Sequence, residues 1–177
     1  MSERVLADGS EPRSPKELLD FLHDRGLVSR THEHPPVFTV EEAKALRGSL
    51  EGAHSKNLFV RDPKGVMWLV VALEDRPVDL RALAEQLGHK RFSFGSEDRL
   101  MRYLGVIAGA VTPFAVINDV TGAVRVALDE GLRHHSLWNF HPLDNGMTTA
   151  IAPSDMIRFL EAVDHPPRWV DMRASSG

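Results

Sequence analysis

Lys56 stands near the head of a run that turns apolar two residues later, Ala53-His54-Ser55-Lys56-Asn57-Leu58-Phe59-Val60-Arg61-Asp62. A cation in that position belongs either at the rim of a pocket or at an ordinary solvated strand end. A second segment, Gly105-Val106-Ile107-Ala108-Gly109-Ala110-Val111-Thr112-Pro113-Phe114, poses a similar choice. Small residues there let the backbone approach another group closely, and Pro113 fixes the exit. Exposed amides in such a loop can hold a carbonyl or a developing oxyanion. A tight loop needed only for packing has the same composition, so neither segment decides alone.

Other chemistries have weaker footing. Nine histidines invite a metal. His32 and His34, two apart on a strand, would share a face, and His134, His135 and His141 form a looser group. No pair of histidines one helical turn apart with a glutamate between them occurs, so no metal is expected. A metal-dependent hydrolase built on His32, His34 or His141 is the rival reading. The chain has no cysteine, which removes disulfides, thiolate ligands and a cysteine nucleophile. No G-x-S-x-G elbow is present, and no G-K-[ST] follows the glycine loop.

The elements that must position these residues can be read from period and caps. Ser14-Pro15-Lys16-Glu17 is a capping box with proline at the first helical position, opening a helix that buries Leu18, Leu19 and Leu22 and ends at Gly26. Residues 28–34 read as a strand ending at Pro35-Pro36, and Thr39 with Glu42 starts a second helix to about Leu46. Strands over 55–61 and 66–73 flank the turn Asp62-Pro63-Lys64-Gly65. Asp79 caps a helix closed by Gly88, and Ser96 caps another through Tyr103. Strands are expected over 115–118, 124–128 and 147–151, and a last amphipathic helix over 153–163. Hairpin-joined strands interspersed with helices imply a mixed or mainly antiparallel sheet with helices packed on it. The chain divides into a loose N-terminus (1–13), a single domain (14–172) and a loose tail (173–177).

Composition narrows function less. With 177 residues, 42% hydrophobic and 26% charged, the chain suits one soluble domain. It shows neither a membrane span nor a signal pattern, which fits the cytoplasm. A net charge of -4 argues against gripping nucleic acid over a broad surface, although a local patch can suffice for an RNA tip. His89, Lys90 and Arg91, followed by Arg99 and Arg102, cluster in that way; a solvated helix flank is the plainer account.

At both segments the chain resembles the YbaK-like family of aminoacyl-tRNA editing domains, relatives of the editing insertion of bacterial prolyl-tRNA synthetases. The resemblance runs from about Pro15 to Asp171. HSKNLFVRD, GAVTPFAVIND and NFHPLDNGMTTAIAP, in that order, resemble the branch called ProXp-ala, which deacylates alanyl-tRNA specific for proline. The cysteine-clearing branch usually differs after the lysine and lacks Asn-Phe-His-Pro-Leu.

The resemblance implies an α/β (α+β) YbaK-like fold, a curved, mixed, mainly antiparallel sheet with flanking helices. It also implies double-sieve editing, because a synthetase pocket rejects a missing methylene by only about 1–3 kcal/mol. By the same resemblance Lys56 matches the functional lysine, and Gly109 and Ala110 match the loop whose backbone meets substrate. His32, Asn57, Thr112 and His141 are expected to line the substrate pocket. Lys90, Arg91, Arg99 and Arg102 are candidate tRNA contacts. The expected partners are the acceptor end of mischarged tRNA(Pro) and prolyl-tRNA synthetase; no cofactor, membrane or DNA is expected. Alternatives are the same hydrolysis with cysteine or serine on tRNA(Pro), or a non-catalytic module that binds tRNA or synthetase.

Overall fold

The computed structural model describes residues 4–36, 45 and 50–172. The helix expected from Thr39 to Leu46 lies outside the described residues, apart from Ala45, which is helical.

The caps act as the sequence requires. Helix α1 (Pro15–Asp24) starts at Ser14, whose hydroxyl accepts from the Glu17 N–H while Glu17 reaches back to the Ser14 N–H. Helix α2 (Leu80–Leu87) starts at Asp79 and closes at Gly88 in a left-handed conformation, φ 82°. Helix α3 (Glu97–Leu104) is capped by Ser96. Helix α4 (Pro153–Ala162) carries proline in its first turn.

The strands are β1 (Ser29–Glu33), β2 (Ala53–Arg61), β3 (Met67–Leu73), β4 (Ser93–Phe94), β5 (Val124–Asp129), β6 (Trp138–Phe140), β7 (Met147–Ile151) and β8 (Arg168–Val170). They form one mixed sheet in the order β1-β7-β6-β2-β3-β5-β8, with β4 beside β2. The pairs β1·β7, β2·β3, β2·β4 and β6·β7 are antiparallel; β2·β6, β3·β5 and β5·β8 are parallel. Asp62 makes the β2–β3 turn, its carboxylate accepting from Lys64 and Val66 N–H.

Two apolar clusters cover the sheet. The larger joins α1, α3 and α4 to Ala53, Phe59, Val71, Trp138, Phe140 and Ile151. The smaller seats α2 on Val60, Trp68, Val70 and Ala72. β3 is apolar on both faces because it lies between them.

Two expectations need correction. Residues 115–118 are not a strand: Pro113–Asn118 is a 3-10 helix. Pro113 fixes φ at its start and the Thr112 hydroxyl accepts from Phe114 N–H, so a short apolar run that could serve either state is committed to a helical one. The N-terminal stretch, expected to be loose, is tied down in its described part. Leu6 is buried, Ala7 N–H donates to the Arg102 carbonyl, and Arg13 N–H donates to Asn118 Oδ1.

Candidate active site

Strand register decides which of the candidate residues can meet. Ala53 pairs with Trp138 and His54 with Asn139; Asn139 pairs with Ala150, and His32 with Thr148. Ala53, Trp138, Phe140 and Ile151 face the large core. By alternation His54, Lys56, Asn139, His141, Thr148, Arg30 and His32 therefore share the opposite, outward face. Part of that face is a cleft of about 720 Å³ lined by Arg30, His32, Asn139 and Ala150 among others.

Lys56 and Asn57, adjacent in sequence, point to opposite faces. Lys56 pairs with Ala72 and Asn57 with Val71, and those partners belong to different core clusters. Lys56 is half-buried, and among the described residues its ammonium has no hydrogen-bond or carboxylate partner. Asn57 is tucked towards the large core, its amide donating weakly to Ser55 Oγ at 3.4 Å. Its Oδ1 is buried without a partner.

The histidines form a connected group. His34 Nδ1 lies 2.9 Å from the Pro35 carbonyl, which can only accept, so in the neutral ring the proton sits there. His34 Nε2 then accepts from the Thr148 hydroxyl at 2.8 Å. His141 donates Nδ1–H to the Met147 carbonyl at 2.8 Å, and its ring centroid is 6.3 Å from that of His34. Burial pushes the His141 pKa below its ordinary value. The Met147 hydrogen bond opposes this, and His34 adds to it. A neutral His141 keeps Nε2 free to accept, and among the described residues nothing occupies that nitrogen. Two residues on, Leu143 holds φ 70°, a left-handed backbone that costs a non-glycine residue about 1–2 kcal/mol. Its buried side chain sits in the large core and anchors the turn that presents His141.

The glycine loop reaches this group through the β6–β7 turn. A Cβ built on Gly109 would stand 3.4 Å from Asn145 Nδ2 and meet nothing else within 4 Å. Gly109 is exposed, whereas Ala110 is buried. The Ala110 N–H is already spent on the Ile107 carbonyl at 3.0 Å, so of the two expected amide donors this conformation leaves Gly109 alone. Thr112, expected to line the pocket, is wholly buried, and its hydroxyl caps the helix that follows. Replacing Gly109 with alanine should leave the thermal midpoint unchanged, since the new methyl has room. It should lower deacylation kcat/KM about 10-fold or more by standing where a substrate carbonyl must approach; an unimpaired variant would remove Gly109 from the site.

The basic candidates are scattered. Lys90 and Arg91 are exposed just after α2. Arg99 lies against Met67 Sδ at 4.0 Å, and Arg102 pairs with Asp98 at 3.8 Å. Beside them is a His–Asp pair that catalysis cannot use as a base. His89 Nδ1–H donates to Asp62 at 2.8 Å, and its Nε2 accepts from the Trp68 indole N–H at 2.8 Å, so no lone pair remains. Among the described residues no group of three or more His, Cys, Asp or Glu could hold a metal.

Sequence reasoning missed Thr148, Asn145 and the role of His34. The i, i+2 spacing of His32 and His34 was a signal for a shared face, but nothing local links His34 to Thr148, 114 positions away.

The half-buried Lys56 and the histidines thus share one face of a mixed sheet. The model of the aminoacyl-tRNA editing domain family matches residues 34–159, and the chain belongs to that family. It is 39% identical over 154 residues to prolyl-tRNA synthetase associated domain-containing protein 1 of Danio rerio, covering 86% of this chain and 84% of the relative. It is 41% identical over 131 residues to the prolyl-tRNA editing protein ProX of Acetoanaerobium sticklandii, covering 73% and 80%. Among solved structures, a candidate trans-editing enzyme for prolyl tRNA synthetase superposes with TM-score 0.68 at 18% identity, covering 92% of this chain and 98% of that one. That likeness speaks for the fold. No helix among the described residues is long and apolar enough to cross a membrane.

Proposed function

We propose that this chain is a trans-editing deacylase that removes alanine from tRNA(Pro). The single observation that supports it best is the half-buried Lys56, without a counter-ion among the described residues, on the same sheet face as a histidine nitrogen left free to accept. Hydrolysis of a mischarged tRNA ester is the chemistry of an aminoacyl-tRNA editing domain, and the chain is such a domain.

The ester is already an activated bond, so catalysis needs position and charge more than a covalent nucleophile. Water adds to the ester carbonyl carbon while the Gly109 N–H receives the developing oxyanion. Collapse breaks the bond to the ribose oxygen, which takes up a proton relayed through the neighbouring ribose hydroxyl. Lys56 holds the terminal phosphate or the ribose, His32 and His141 line the pocket, and Asn57 offers only its main chain there. Size selects the substrate: a small pocket admits alanine and excludes proline. Lys90, Arg91, Arg99 and Arg102 offer phosphate contacts to the acceptor stem. So few contacts make binding only modestly salt-dependent. The enzyme works in the cytoplasm on tRNA(Pro) released by prolyl-tRNA synthetase.

A deacylation panel tests this directly, with tRNA(Pro) charged with alanine, cysteine, serine or proline. Rapid clearance of alanine with proline spared is the expected result. Preference for cysteine or serine would keep the chemistry and replace the substrate. No turnover on any arm would leave a module that binds tRNA or synthetase.

A further inference from the structure

Among the described residues the edge of β2 is unpaired for a few residues in mid-sheet. β6 pairs with it only at Ala53 and His54, and β4 pairs only at Val60 and Arg61. Both neighbours lie on the same side of β2, at opposite ends, with a gap between them.

Main-chain direction follows from the hydrogen bonds at the gap's borders. Glu74 N–H donates to the His54 carbonyl from the β3 side, so even-numbered residues of β2 bond to β3 and odd-numbered residues bond away from it. Two contacts on the far edge agree: Ala53 N–H donates to the Leu137 carbonyl, and Gly95 N–H donates to the Phe59 carbonyl. Between those two, the Asn57 N–H and carbonyl project into the gap. Among the described residues neither has a partner. The stretch from Ser55 to Phe59 spans only about 13 Å at roughly 3.3 Å per residue, too short for another strand of ordinary length.

We infer that the Asn57 main chain reads the aminoacyl group of the substrate, an inference that rests on the deacylase reading above. An aminoacyl ester carries an ammonium and a carbonyl separated by one carbon, as a residue in a hydrogen-bonded antiparallel pair carries its N–H and C=O. The ammonium donates to the Asn57 carbonyl, and the Asn57 N–H donates to the ester carbonyl oxygen. That oxygen can take two donors. With the Ala110 amide already engaged, Gly109 and Asn57 are the two donors this reading assigns to it. Recognition through backbone leaves side-chain identity to be judged by space alone, which matches an enzyme that rejects proline by size. A secondary amine held in a ring also has less freedom to adopt this pairing than a primary ammonium.

Amide exchange measured by NMR tests the assignment, with 3′-deoxy-3′-(L-alanyl)amino-adenosine as a non-hydrolysable probe. In the free protein the Asn57 amide should exchange about 100-fold faster than those of Lys56 and Leu58, which bond β3. Saturation with the probe should slow Asn57 selectively. In parallel, alanyl- and lactyl-tRNA(Pro) are compared as substrates, each rate divided by the ester's uncatalysed rate. Replacing the ammonium by a hydroxyl should slow turnover about 10-fold or more, since a charge-assisted hydrogen bond is lost. Probe-dependent shifts at Lys56 or Gly109 with Asn57 exchange unchanged, or equal normalised rates for both esters, would overturn the assignment while leaving the deacylase intact. A chain that cleaves neither ester overturns the deacylase reading and this one with it.

Discussion

Replacing Lys56 with alanine should reduce single-turnover deacylation of Ala-tRNA(Pro) by about 100-fold or more, the scale seen when one group that stabilises a transition state is removed. Lys56 is suited to this because its charge is unpaired among the described residues. Several other cations are paired: Arg76 with Asp129 at 3.6 Å, Arg102 with Asp98 at 3.8 Å, and Lys16 with Asp20 at 2.6 Å. The ammonium of Lys56 has no such partner among the described residues, and its strand is held on the β3 side by an unbroken register from Ser55 to Arg61. Removal of the side chain therefore deletes a charge without breaking a bond that the fold uses. The thermal midpoint should stay within the wild-type range, and Lys56→Arg should recover part of the rate if the role is to hold phosphate. Wild-type turnover by Lys56→Ala would take the lysine out of the mechanism.

Much of the frame was legible because it is local. Ser14, Asp79 and Ser96 cap helices where the sequence placed them, and the Asp62–Gly65 turn joins the strands it was expected to join. Lys56 and the glycine loop stood out as candidates, one as a cation near the head of an apolar strand and the other as a run of small residues. The pairing of faces was not visible. Adjacency in sequence grouped Lys56 with Asn57, but a strand sends neighbours to opposite sides, and only the main chain of Asn57 remains on the open edge. Ala110 likewise looked like a donor until a 3-10 turn used its N–H. The short strands β4, β6 and β8 (two, three and three residues) carry too little period to be read, and β6 is the strand that brings Asn139 and His141 beside β2.

Asp119→Ala should be among the most destabilising single changes in the chain, although it lies outside the proposed site. Asp119 and His165 are both buried, at 3% and 4% exposure, and bond at 2.9 Å. The same carboxylate accepts from the Ala123 and Val124 N–H groups, so its removal strands three donors. Breaking a buried charged pair costs about 3–5 kcal/mol, and in a domain of this size each kcal/mol lowers Tm by roughly 2–4 °C. The pair also sets a pH dependence of definite sign. Burial disfavours the imidazolium of His165. The hydrogen bonds to Asp119 and the Val163 carbonyl, with the nearby charges of Asp119 and Asp164, outweigh that and raise its pKa above the ordinary value. A histidine whose pKa is raised on folding contributes stability that is complete below the unfolded value, about 6.5, and is lost as pH climbs through the folded value. His141 shifts the other way, so its effect falls on the acid side of that point and does not overlap. The urea midpoint of the wild-type chain should therefore fall between pH 6.5 and the alkaline end of the folded titration. His165→Gln should start lower and lose that slope. A midpoint that rises over the same interval, or an equal slope in His165→Gln, would show that the buried pair does not carry the linkage.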